Sequence, residues 1–119
     1  MAVQKERRKF VRLNILTDVA YAKQQKPSEK DKLSIAKNIS AGGICLVVYE
    51  ELRVGDILDL KLCLPEEKAL INAVGRVVWI KEFVIDDCSN AKRFDAGIEF
   101  IKISDKDMAK INQYVFDHI

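Results

Sequence analysis

The chain has 119 residues, 49% of them hydrophobic and 32% charged, with a formal net charge of +2. That length supports one domain around a single core, and that balance excludes a disordered tail. No apolar run has the length of a membrane span and no signal-peptide core opens the chain, so a cytoplasmic protein without membrane insertion is expected.

The charge is unevenly placed. Residues 1–12 carry Lys5, Arg7, Arg8, Lys9 and Arg12 against Glu6 alone, while the other 107 residues hold 15 basic and 17 acidic side chains. A flexible basic arm (1–12) on a mildly acidic body (13–119) is expected, not a surface that coats nucleic acid. Within the arm, Arg8 and Arg12 form Arg-x-x-x-Arg. They share a face whether the segment is extended or helical. A guanidinium fork matches phosphate oxygens or the O6/N7 edge of guanine, and it stacks flat on a purine.

Residues 13–22 alternate, with Leu13, Ile15, Thr17, Val19 and Tyr21 on one face, as a half-buried strand does. A polar loop over 23–32 follows. Residues 33–40 alternate again. Leu33, Ile35 and Ile39 are expected toward the core, leaving Asn38 and Ser40 outside with Ser34 and Ala36. Ala41-Gly42-Gly43 turns the chain into an apolar strand over 44–49. After a connection over 50–56, residues 57–64 alternate sharply, Leu58, Leu60, Leu62 and Leu64 against Asp59 and Lys61. A long β-run covers 70–85, with Gly75 a candidate bulge and Trp79 expected in the core. A polar loop (86–92) leads to the last strand (93–103). From about 104 to 118 the period becomes helical: Ser104 and Asp107 read as a capping pair, and Met108, Ile111, Val115 and Ile119 form one stripe.

Asn38-x-Ser40-x-x-Gly43 stands at the end of the second strand. It offers an amide, a hydroxyl and a backbone that a ligand can approach closely. Cys45 and Cys63 read as buried small hydrophobes, Cys88 as a loop thiol, and His118 is the only histidine. These do not cluster as metal ligands, and no nucleophile–base set or P-loop is present, so neither a metal, a cofactor nor a catalytic residue is expected.

Arg8-x-x-x-Arg12 followed by Asn38-x-Ser40-x-x-Gly43, in a short β-rich chain, resembles the PilZ domain family over about residues 5–117. Gly75-Arg76-Val77-Val78-Trp79 and Ala96-Gly97-Ile98-Glu99-Phe100 look like that family's late strands. The resemblance implies a mainly β fold, a six-stranded antiparallel β-barrel of split-barrel type with a C-terminal α-helix. It implies a non-enzymatic receptor for the bacterial second messenger cyclic di-GMP, with Arg8, Arg12, Asn38, Ser40 and Gly43 as ligand residues. Arg7 is a further candidate, and its extra charge suggests two ligand molecules per chain. The expected action is an arm clamped onto the barrel by the ligand, changing a surface that a downstream protein partner reads. A PilZ-like protein-interaction module without nucleotide binding is the alternative. A single-strand nucleic-acid binder would want exposed aromatics in a basic groove. Met1 and the C-terminal helix suggest a stand-alone protein.

Overall fold

The computed structural model describes residues 11–25, 31–65, 70–86 and 91–119. Arg7, Arg8 and Cys88 lie outside these residues, as does the arm before Val11.

Six strands form from the alternating stretches: β1 (Thr17–Lys23), β2 (Lys32–Ser40), β3 (Gly43–Val48), β4 (Ile57–Cys63), β5 (Leu70–Asp86) and β6 (Ala91–Ile103), followed by helix α1 (Asp105–His118). They close into an antiparallel barrel in the order β1-β2-β3-β6-β5-β4. Leu58, Leu60 and Leu62 of β4, with Leu64 just beyond, are at most 2% exposed, while Asp59 and Lys61 between them reach water. Closure lets such a strand pair on both sides and leaves it no open edge. β1 begins later than its sequence period suggests. Before it, Leu13 makes only an isolated bridge to Ile39, with N···O distances of 2.8 and 2.9 Å.

The β3–β4 connection packs back on the barrel through Leu52, 2% exposed. Beside it the Tyr21 hydroxyl donates to Glu50 at 2.6 Å, and Lys32 and Lys23 approach the same carboxylate at 2.6 and 3.6 Å. The helix is capped as expected: the Ser104 hydroxyl accepts from the Asp107 amide at 3.1 Å. Its buried residues are Ile111, Tyr114 and Val115, which join the barrel core. Ile119, expected in that stripe, is 72% exposed because the helix ends there; Tyr114 takes the inward place. Cys63 is also exposed rather than buried, since it falls on the outward phase of β4.

The main departure from the sequence period is in β2. Ala36 pairs with Leu46 and Asn38 with Cys45, so Lys37 is an extra, unopposed residue. A bulge of this kind reverses which parity faces in. Before it Ala36 is fully buried and Leu33 is 87% exposed; after it Ile39 is fully buried. Leu33 and Ile35 therefore do not share the core face with Ile39, and Ala36 does not lie outside with Asn38.

Two outcomes are expected. Ile39→Ala should cost about 2–5 kcal/mol in denaturant unfolding and Leu33→Ala within about 0.5 kcal/mol; similar costs would contradict the reversal. The second concerns pH. Burial pushes the Tyr21 hydroxyl well above the usual tyrosine range, and its hydrogen bond to Glu50 and that group's charge push the same way. Burial also opposes ionisation of Glu50, but hydrogen bonds from Lys32 and Tyr21 and the charges of Lys32 and Lys23 outweigh it and hold the carboxyl low. The raised Tyr21 value gives stability that is complete below the unfolded value of about 10 and declines above it. The lowered Glu50 value gives stability present above about pH 4.3 and lost as pH falls through its folded value. In urea titrations across pH, Tyr21→Phe should flatten the alkaline decline and Glu50→Gln the acid one.

Candidate functional site

Directly opposed residues of β2, β3, β6 and β5 form rows across the outer face. The rows are Ile35–Val47–Asp95–Lys81, then Asn38–Cys45–Gly97–Trp79, then Ser40–Gly43–Glu99–Arg76. Between the last two runs the inward row Ile39–Ile44–Ile98–Val77, at most 4% exposed throughout.

A second bulge builds the far side. Val77 pairs with Ile98 and Trp79 with Gly97, so Val78 is unopposed. Without it Trp79 would share the inward phase of Val77. Trp79, expected in the core, is instead 42% exposed on the outer face. Its indole lies flat enough on Gly97 that a Cβ there would stand 2.0 Å from Nε1. Gly43 has the same character: a Cβ there would stand 2.0 Å from the Ile98 carbonyl oxygen. Glycine at both positions lets backbone approach where any side chain would force the strands or the indole to move.

These rows floor an open cavity of about 500 Å³, lined among others by Arg12, Asn38, Ser40, Gly43, Trp79 and Glu99. That is within the range of small-molecule sites, about 300–1,000 Å³. The Asn38 amide has no hydrogen-bond partner among the described residues. The Ser40 hydroxyl is partly committed to the turn: it accepts from the Gly42 amide at 3.1 Å and faces the Gly43 carbonyl oxygen at 3.4 Å. Cys45, on β3 opposite Asn38, is 6% exposed. Burial, and then the Asp95 charge, push its thiol up; Lys37, Arg12 and Arg93 pull the other way without prevailing. A protonated, enclosed thiol is a wall rather than a nucleophile.

Asp95 stabilises the bulge that turns Asn38 outward. Its side chain is 6% exposed, with Lys37 Nζ at 2.9 Å and Arg93 Nε at 3.3 Å. Lys37 reaches it across β3, over the row position of Val47. Arg93 in turn packs on the Phe83 ring, 4.5 Å from its centroid. The buried carboxylate is thus matched by two cations, which a group so enclosed requires.

Four of the six residues marked from sequence, Arg12, Asn38, Ser40 and Gly43, meet around this cavity. Arg7 and Arg8 fall outside the described residues. Trp79, Glu99 and Gly97 were not marked. A glycine in the middle of an apolar strand was the available sign, since it signals close approach of another group.

A family-level comparison matches residues 6–117 to the PilZ domain. The chain belongs to the PilZ domain family. Solved structures agree with the fold of this PilZ domain. The inhibitor of motility MotI/DgrA of Bacillus subtilis is 27% identical with a TM-score of 0.75, over 95% of this chain and 51% of that one. The PilZ domain of Escherichia coli YcgR, solved with c-di-GMP, is 14% identical with a TM-score of 0.71, over 95% and 92%. K. pneumonia MrkH, in its c-di-GMP complex, is 18% identical with a TM-score of 0.73, over 95% and 52%. The present chain spans about half the length of the MotI and MrkH chains. A comparison with curated proteins found no match.

The pair of Lys37 and Asp95 is expected to be coupled in this PilZ domain. A double-mutant cycle with Lys37→Ala and Asp95→Ala, read by denaturant unfolding, should return about 1 kcal/mol. A coupling of zero would mean that the bulge stands without the pair.

Proposed function

We propose that this chain is a non-enzymatic receptor for cyclic di-GMP, held in the outer-face cavity. The observation that carries the reading is the convergence of Arg12, Asn38, Ser40 and Gly43 on one cavity of about 500 Å³. Support also comes from the family match and from relatives solved with c-di-GMP. The ligand presents two phosphates, two guanine edges and two ring faces. Arg12 supplies a charge-assisted fork for the first two. Asn38 supplies a side-chain amide that has no hydrogen-bond partner among the described residues, and Trp79 a flat surface on which a base stacks. Gly43 lets the ligand approach the backbone.

In this reading Arg7 and Arg8 complete the site from the basic arm. Ligand favours the arm folded against the barrel over the arm apart from it, and that difference alone shifts the population. A cytoplasmic partner protein then reads the changed surface. Arg7, Arg8, Lys9 and Arg12 together can offset the four phosphate charges of a self-stacked ligand pair, so two molecules per chain are proposed.

Calorimetry tests the reading with cyclic di-GMP, GTP and a short RNA. Only cyclic di-GMP should bind, near two per chain, and Arg7→Ala should lower the ratio toward one. Arg12→Ala should weaken binding by at least about tenfold, about 1.4 kcal/mol, and Trp79→Ala by about 1–3 kcal/mol. The unliganded melting temperature of Arg12→Ala should not move, because the residue is exposed. A wild-type chain that does not bind cyclic di-GMP rules the proposal out.

A further inference from the structure

Glu99 is out of place in a site for an anion. It lines the cavity, and its row places it opposite Gly43, with Ser40 on the far side of that glycine. Gly43 has no side chain, so nothing in that row stands between the carboxylate and Ser40. Arg76 Nη2 holds Glu99 Oε1 at 2.8 Å, and both side chains are about half exposed, 49% and 52%. Oε2 has no hydrogen-bond partner among the described residues. A carboxylate beside two phosphates repels them. It is favourable there only if it faces donors.

The guanine base is the part of a cyclic di-GMP ligand that offers paired donors. Its N1–H and 2-amino group lie side by side on the Watson–Crick edge. A carboxylate accepts two such parallel bonds, and its oxygens carry enough lone pairs for Oε1 to keep Arg76 as well. The sheet supplies the spacing. Glu99 stands two residues along β6 from Gly97, on which Trp79 lies, a step of about 6.6 Å. A purine stacked beside the indole spans a comparable width, which brings its edge to the carboxylate.

We infer that Glu99 is the specificity-determining residue of the cavity, accepting from the Watson–Crick edge of a guanine stacked at Trp79 while Arg76 fixes its direction. The inference rests on the receptor reading above. Arg12 grips charge and a guanine O6/N7 edge, groups that hypoxanthine shares. Glu99 reads the 2-amino group, which hypoxanthine lacks, and N1–H, which adenine lacks.

The test compares cyclic di-GMP, cyclic di-IMP and cyclic di-AMP by calorimetry on the wild-type chain and on Glu99→Gln. The variant keeps the size of an exposed side chain, and unfolding of the unliganded protein checks that it is folded. Wild type should prefer cyclic di-GMP over cyclic di-IMP by about tenfold or more. Glu99→Gln should bring that ratio close to one, chiefly by weakening cyclic di-GMP, and should narrow the gap to cyclic di-AMP. A folded Glu99→Gln chain that keeps the wild-type ratios overturns the inference and leaves the receptor reading standing. A wild-type chain that binds none of the three overturns both.

Discussion

A strand in a closed barrel turns alternate residues to solvent, and closure leaves it no way to slide out of that alternation. One inserted residue is the available means of changing which side chains face outward. Lys37 in β2 and Val78 in β5 are such insertions, and they flank the same row. Between them they bring Asn38 and Trp79 to opposite ends of one line across four strands. Remove either extra residue and the polar amide or the indole falls on the core phase, while an aliphatic side chain reaches water.

The insertions are held by different means. Lys37 is tied by charge to Asp95, two strands away. That carboxylate is enclosed while the lysine is half exposed, so the attraction is partly screened, yet leaving the carboxylate without its cation would be costly. Val78 has no such tie; there the indole resting on Gly97 holds the strand in its outward phase. The cavity therefore depends on an ion pair between a half-exposed lysine and an enclosed carboxylate at one end and on shape at the other.

The order of strands, the leucine ladder of β4 and the helix with its Ser104 cap were legible because each follows a local period. Arg12, Asn38, Ser40 and Gly43 were legible as short motifs, and they do meet around one cavity. An irregularity was expected at Gly75, and the β5–β6 register does shift between Val74 and Gly75, but the bulges at Lys37 and Val78 were not legible. A count by twos along 33–39 or 77–79 has no sign for an unopposed residue, because the opposition is set by the neighbouring strand. Leu33 and Trp79 were assigned to the core for that reason, and Glu99 was given no role beyond its place in a late strand. Ile119 was misread because it stands at the very end of its helix, and Cys63 because an apolar neighbourhood was read in place of its outward phase in β4.

Trp79 is the only tryptophan in the chain. Its indole sits half in solvent, on a glycine, at the wall of the cavity rather than in the core. The chain therefore carries a single indole, which can be excited apart from its three tyrosines, at the place where occupancy would alter polarity and quenching. Its emission needs no label and has no second indole to dilute it. Because the indole rests on Gly97 across the β5–β6 pair, its emission would change with occupancy of the cavity under native conditions and with parting of those strands on unfolding.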